Sequence, residues 1–131
     1  MTPNRMTPNR PDVLVNGQPA ASLPIDDRGF RYGDGLFETI HVRAGAPEFW
    51  HAHLRRLRLG AERLKLACPD AHLLTEEAQQ LLAQSVDGVL RIWLTRGPGG
   101  AGYRPVAGQT PTRILRFSPP PSPAIASSDF A

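Results

Sequence analysis

The chain has 131 residues, of which 40% are hydrophobic and 21% are charged, and its formal net charge is +3. This length makes one ordinary domain, and the composition excludes a wholly disordered chain and a repeat array. No apolar run approaches the ~20 residues of a membrane span, and the start lacks an apolar secretory signal, so we expect a cytoplasmic protein without a membrane partner. Because Cys68 is the only cysteine, an intrachain disulfide and a cysteine metal cluster are excluded.

The two ends of the chain differ in composition from its middle. The first ten residues are the pentapeptide MTPNR written twice, and we interpret residues 1–11 as a duplicated, tag-like N-terminus outside the fold. From Ser118 the chain is rich in proline and serine and has no hydrophobic period, so residues 118–131 are interpreted as a linker. The predicted domain is therefore residues 12–117.

Four segments of this domain have strand character. Residues 13–15 precede Asn16-Gly17, the strongest two-residue signal for a β-hairpin. Residues 36–42 and 112–117 are rich in β-branched and aromatic side chains. Residues 89–96 make the best strand, with Leu90, Ile92 and Leu94 on one face because side chains alternate along a strand.

Two helices are predicted between these strands. Over residues 51–68, apolar side chains recur every three or four positions and form a single stripe. A second helix is predicted to begin near Thr75, which can cap free amides, and to end by Gly88. Hairpin-linked strands with grouped helices indicate an α+β fold, a mostly antiparallel sheet with two helices packed on one face.

A segment dense in charge and glycine, residues 26–35, directly precedes the strand at 36–42. It is either a surface turn whose glycines supply positive φ, or a site-lining loop that presents Tyr32 on a strand edge. A second glycine-rich loop separates Arg96 from Tyr103, and it is either a flexible hairpin connection or a cover for a small anionic ligand.

Arginine supplies fourteen of the fifteen basic residues, and several arginines lie on the first helix. Most Arg-rich helix faces are simply solvated, but Arg56 and Arg58 flank the apolar stripe, and either could deliver a guanidinium to bind a phosphate. Helix geometry does not choose between them. No aromatic side chains are interleaved with these arginines, so we expect no nucleic-acid partner.

Metal binding and lysine chemistry receive little support from the sequence. His51 and His53 are two positions apart and diverge on a helix, so zinc binding is not predicted. Lys65 is the only lysine, and we expect it to extend from the helix toward solvent rather than act in catalysis.

Three motifs together resemble a known family. VNG at 15–17, DRGFRYGDGLFET at 27–39 and HLRRL at 53–57 are similar to the N-terminal domain of fold type IV pyridoxal-phosphate enzymes. That family includes branched-chain and D-amino-acid aminotransferases and 4-amino-4-deoxychorismate lyases. The segment RGPGGAGY at 96–103 is most similar to the lyases. The resemblance covers residues 12–117.

The resemblance implies roles for individual residues. Arg56 takes the position whose arginine contacts the phosphate of pyridoxal 5′-phosphate in relatives, and Tyr32 takes that of an aromatic residue beside cofactor and substrate. Arg96 and Tyr103 border the substrate side. Some lyases carry an arginine where this chain has Ala101, so recognition of the substrate carboxylates must come from other residues.

The resemblance also implies the reaction and what this chain lacks. The family's lysine that binds the cofactor covalently lies in a second domain beyond the linker, so the chain is expected to hold no catalytic residue and to be inactive alone. The expected activity converts 4-amino-4-deoxychorismate to 4-aminobenzoate and pyruvate on the folate pathway. A fold type IV aminotransferase is the alternative, and a homodimer is expected.

Overall fold

The computed structural model of the chain describes residues 10–83, 86–100 and 109–120. In these ranges the chain forms three helices and a six-stranded antiparallel sheet with strand order β2-β1-β6-β5-β3-β4. The elements are β1 (Val13–Val15), β2 (Gln18–Pro19), α1 (Arg28–Tyr32), β3 (Gly35–Arg43), β4 (Ala46–Pro47), α2 (Trp50–Leu64), α3 (Ala71–Leu81), β5 (Gly88–Thr95) and β6 (Thr112–Ser118). The predicted α+β class is confirmed. None of the described helices has the length and apolarity to cross a bilayer.

The predicted hairpin and strands are present. Asn16 and Gly17 both have positive φ, 51° and 84°, as the tight turn between β1 and β2 requires. Strand β5 lies at the centre of the sheet and pairs along its whole length with β3 on one side and β6 on the other. Its residues Leu90, Ile92 and Leu94 are buried under α2 and α3, so the predicted core face is confirmed.

Helix α2 buries the first part of the predicted apolar stripe, but Leu64 is 39% exposed and the helix ends earlier than predicted. Leu54, Leu57 and Ala61 pack into the core. The helix stops at Leu64 and not at residue 68, because Lys65 adopts a left-handed conformation and its backbone N–H bonds to carbonyls of the last turn. A lysine is an uncommon residue at this left-handed position, so the sequence gives no signal for the stop.

Helix α3 begins four residues before the predicted start. The carboxylate of Asp70 accepts a hydrogen bond from the backbone N–H of His72 at 3.1 Å and caps the helix, which starts at Ala71. Thr75 lies inside the helix, where its hydroxyl donates to the Ala71 carbonyl at 2.8 Å and accepts from the Trp50 indole at 3.0 Å. The capping role predicted for Thr75 was wrong, and Asp70 takes it.

The third helix, α1, lies in the segment that the sequence predicts as a turn or loop. Asp27 caps it by accepting from the Gly29 N–H at 2.8 Å, and Gly33 ends it with a positive φ of 65°. Asp27 and Arg28 are fully buried, so the surface-turn interpretation of residues 26–35 was wrong. A helix of five residues is too short for hydrophobic periodicity to reveal it.

Two leucines on α2 test how the helix is attached to the sheet. Leu57 is completely buried, whereas Leu59 is 45% exposed. We expect Leu57→Ala to lower the free energy of unfolding by about 2–5 kcal/mol, because it leaves a cavity under the helix. Leu59→Ala, the matched control, should change it by less than about 0.5 kcal/mol. Denaturant unfolding of both variants measures the difference, and equal losses would contradict the observed packing.

Candidate functional site on the open face of the sheet

The sheet face opposite α2 and α3 carries a row of apolar side chains. Phe37, Trp93, Ile114 and Val15 are direct cross-strand neighbours on β3, β5, β6 and β1. Because side chains alternate along each strand, these four point away from the helix-covered core. Phe37 is 62% exposed. The described part of the chain therefore leaves a four-strand apolar row open to solvent.

A cavity of about 720 Å³ lies on this row. The segment before α1 and the helix itself form its wall through Leu23, Asp27 and Phe30, while Phe37 and Trp93 contribute aromatic surface. This volume and this mostly apolar lining are typical of sites for small organic ligands. The face therefore has the shape and surface of one wall of a ligand site.

Two arginines lie beside the middle of the apolar row, two residues from Trp93 and Ile114 on the same sheet face. Arg91 on β5 and Arg116 on β6 are paired directly across the strands, and Arg116 lines the cavity. Like charges in this relation repel each other, and neither guanidinium forms an ion pair with a described residue. An anionic group bound here would relieve that repulsion.

Asp34 joins the elements around the cavity. Its Oδ2 accepts hydrogen bonds from Nε of Arg28 and Nε of Arg96, both at 2.9 Å. Arg96 also donates to the Leu64 carbonyl at the end of α2, at 2.8 Å. Burial alone would raise the pKa of Asp34, but the hydrogen bonds from the two arginines outweigh it and hold the pKa below its ordinary value. Asp34 thus ties α1, the end of β5 and the end of α2 together.

A second buried carboxylate organises the exposed side of α2. Glu38, next to Phe37 on β3, points to the opposite face and accepts from Nε and Nη2 of Arg56 at 2.8–3.1 Å. Its Oε1 also lies 2.7 Å from Nδ1 of His53. Burial raises the pKa of Glu38, but the bonds from Arg56 and His53 lower it further than burial raises it. The Arg56 side chain is still 71% exposed.

The predicted site residues that the structure describes lie outside the cavity lining, and Arg56 lies with α2 on the other side of the sheet. Tyr32 ends α1 instead of lying on a strand edge, and the guanidinium carbons of Arg28 and Arg31 lie 4.7 and 5.1 Å from its ring centre. Arg96 is bound to Asp34, and Arg56 to Glu38. None of Tyr32, Arg56 and Arg96 is among the lining residues.

The other predicted residues have different outcomes. Tyr103 lies outside the described residues. Lys65 is exposed at the end of α2 and is not part of the cavity lining. His53, predicted as a packing or surface residue, instead binds a buried carboxylate. No cluster of three or more metal-ligating side chains occurs in the described ranges. The roles of Tyr32, Arg56, Arg96 and Tyr103 toward a ligand stay predictions.

Sequence reasoning missed the residues that line the cavity most directly: Phe37, Trp93, Ile114 and Arg116. A signal for them was present. Once the core face of β5 is assigned to Leu90, Ile92 and Leu94, Trp93 must point the other way. Nothing local indicates that this second face stays uncovered, because that depends on where the helices pack.

Comparison with known proteins gives the family. Residues 35–130 match the family model described as amino-transferase class IV. The chain belongs to the class IV aminotransferase family. It is 36% identical over 107 residues to the aminodeoxychorismate lyase of Vibrio harveyi. The aligned region covers 81% of this chain and 40% of that protein. The chain thus spans about two fifths of this curated relative.

Solved structures agree with this assignment and with the fold type IV architecture. The crystal structure of 4-amino-4-deoxychorismate lyase from Pseudomonas aeruginosa is 43% identical, with a TM-score of 0.73, over 89% of this chain and 43% of that one. A hypothetical aminotransferase from Mycobacterium tuberculosis, in its PLP-bound form, is 30% identical with a TM-score of 0.70, over 90% of this chain and 43% of that one. Within the residues that the structure describes, the cavity lies on one face of the six-stranded sheet.

The pKa of Asp34 leads to a prediction about acid stability. A carboxyl with a lowered folded-state pKa stabilises the fold above its unfolded value of 3.8, and that contribution is lost as the pH falls through the folded value. The wild-type chain should therefore lose stability as the pH falls below 3.8 toward the folded-state pKa. Asp34→Asn should be less stable at neutral pH and lose less on acidification. Melting temperatures of the wild type and of Asp34→Asn, measured as the pH is lowered, give the pH dependence of each. Equal losses on acidification would contradict the role of Asp34.

Proposed function

We propose that this chain forms one wall of the active site of a pyridoxal-phosphate-dependent 4-amino-4-deoxychorismate lyase. The reaction splits 4-amino-4-deoxychorismate into 4-aminobenzoate and pyruvate, a step of folate biosynthesis. The proposal is carried by the 43% identity to the Pseudomonas aeruginosa lyase over 89% of this chain. Because the chain spans well under half of that protein, the activity belongs to the whole protein.

The open sheet face fits the chemistry of this substrate. A cyclohexadiene ring can pack against Phe37 and Trp93, which also exclude water from the reacting atoms. The substrate carries two carboxylates, and Arg116 with Arg91 offers guanidinium groups that can bind such a group bidentately. These two arginines are our candidates for the carboxylate recognition that Ala101 cannot provide.

The chain's residues also fit part of a pyridoxal-phosphate site. Arg56 is exposed and has one guanidinium edge that the described residues leave unbonded, which suits a phosphate. When bound, the cofactor withdraws electrons from the carbon that bears the substrate amine and makes its proton acidic. Arg56 would hold the phosphate.

The chain offers no amine for covalent attachment of the cofactor at this cavity. Lys65 is its only lysine, and it lies exposed at the end of α2, outside the lining. We therefore propose that the lysine, which would also move the substrate proton, comes from a further segment of polypeptide. This accounts for the expectation that the 131-residue chain is inactive by itself.

Amino transfer is the second candidate function. It is favoured by the 30% identity to the hypothetical aminotransferase of Mycobacterium tuberculosis in its PLP-bound form. A transaminase shares the early steps but needs a keto acid as amino acceptor, whereas the lyase releases pyruvate without one. The two activities are therefore separated by their products.

A product assay tests the proposed lyase activity. We expect the protein expressed from the complete reading frame to convert 4-amino-4-deoxychorismate to equal amounts of 4-aminobenzoate and pyruvate with no keto acid added. The 131-residue chain with added pyridoxal 5′-phosphate should give no product. Amino transfer from D-alanine to 2-oxoglutarate without 4-aminobenzoate would favour the aminotransferase, and turnover by the chain alone would overturn the need for a further segment.

Arg116 provides a test of carboxylate recognition. Arg116→Gln removes one charge beside the apolar row and should raise KM for 4-amino-4-deoxychorismate about tenfold, as expected for a lost charge-assisted hydrogen bond. The value of kcat should change less, because the carboxylate is not the reacting group. Arg63→Gln, at an exposed position in the last turn of α2, is the matched control. Equal KM values for the two variants would contradict the assignment.

A further inference from the structure

We propose that Glu38 is a positioning residue that orients Arg56 for a phosphate ester. The inference rests on the proposed function, since it takes Arg56 to meet the cofactor phosphate. It adds a reason why an arginine that is 71% exposed can hold one orientation before a ligand arrives.

The three bonds between Glu38 and Arg56 use one edge of the guanidinium. Nε lies 3.1 and 3.0 Å from the two carboxylate oxygens, and Nη2 lies 2.8 Å from Oε1. A guanidinium has five N–H donors in a rigid plane, so binding the Nε–Nη2 edge fixes the direction of the other edge. Nη1 and the second N–H of Nη2 remain as a parallel pair, the arrangement that binds a phosphate bidentately.

His53 holds Glu38 from the other side. Its Nδ1 lies 2.7 Å from Oε1, and because an ionised carboxylate only accepts hydrogen bonds, Nδ1 carries the proton in this contact. His53 is one turn before Arg56 on α2, so both donors approach Glu38 from the same helix face. The carboxylate is thereby fixed between strand β3 and helix α2.

A second Glu–Arg pair in the same fold has the same bonds but a covered arginine. Arg113 on β6 donates from Nε and Nη2 to the buried Glu77 of α3 at 2.7–3.1 Å. Its side chain is only 22% exposed, compared with 71% for Arg56. Two buried carboxylates thus bind arginines in the same way, but the arginine bound by Glu38 is far more exposed than the one bound by Glu77. Arg56 is therefore accessible to a ligand, whereas Arg113 mainly joins β6 to α3.

For phosphate binding, the entropy saved by fixing Arg56 in advance exceeds the cost of the repulsion between Glu38 and the phosphate. A free, exposed arginine samples many rotamers and loses that freedom when it binds, whereas an arginine already fixed by Glu38 does not. The Glu38 carboxylate also repels a phosphate, but the free edge of Arg56 lies in solvent, where water and salt screen that repulsion. Removing the Glu38 charge should therefore weaken phosphate binding.

The experiment compares pyridoxal 5′-phosphate with pyridoxal, which lacks the phosphate, as ligands of the protein from the complete reading frame. Glu38→Gln should weaken binding of the phosphate ester about tenfold, roughly one charge-assisted hydrogen bond, and leave pyridoxal binding within about twofold. Glu77→Gln, the matched control, removes the carboxylate of the second Glu–Arg pair and should leave the ratio of the two dissociation constants unchanged. An unchanged ratio in Glu38→Gln, or the same change in both variants, would overturn the proposal.

Arg56→Gln separates failure of this inference from failure of the proposed function. If Arg56→Gln lowers the preference for the phosphate ester and Glu38→Gln does not, Arg56 binds phosphate but Glu38 does not position it. If neither variant alters the preference, the phosphate contact itself is wrong.

A measurement on the unmutated protein covers the case in which Glu38→Gln does not fold. With Arg56 held by Glu38, the Nε–H resonance of Arg56 in ¹⁵N NMR should be visible and slow to exchange with water, as for Arg113. Rapid exchange at Arg56 with slow exchange at Arg113 would show an unrestrained guanidinium and overturn the proposal.

Discussion

Removing a carboxylate from water is costly unless hydrogen-bond donors meet it, and arginine is the donor that this fold uses most around the site. Asp34, Glu38 and Glu77 are each bound by an arginine from another element, 62, 18 and 36 positions away in the chain. The planar fork of arginine can satisfy two carboxylate lone pairs at once, which a lysine ammonium does not do in fixed geometry. The near absence of lysine from this chain agrees with that use of its cations.

The two faces of the sheet have separate tasks. One face packs Leu90 and Ile92 against the helices and supplies the apolar burial that stabilises the domain. The other leaves Phe37 and Trp93 open in a cavity that Arg116 also lines. An antiparallel sheet with one solvated face normally carries polar residues there. The apolar row is therefore a cost to the isolated chain that a ligand or a covering segment would offset.

Local patterns in the sequence predicted the parts of the fold that depend on local rules. The alternation in β5 and the stripe on α2 needed only side-chain periodicity, and Asn16-Gly17 needed only turn chemistry. Helix α1 was missed because five residues show no period. The site was harder, because its contacts are long-range: Asp34 meets Arg96 from 62 positions away, which no local signal predicts. Periodicity left Arg56 and Arg58 equivalent, and only the family resemblance distinguished them.

Phe37 and Glu38 are consecutive on β3 and point to opposite faces, one into the cavity and the other beneath Arg56. A slip of this strand by a single position would exchange them, placing a carboxylate among aromatic rings and a phenyl group against a guanidinium. Both halves of the site would fail together. Pairing of β3 with β5 over eight residue pairs fixes the register against that error. Insertions or deletions within β3 should therefore be tolerated far less than changes of side chain.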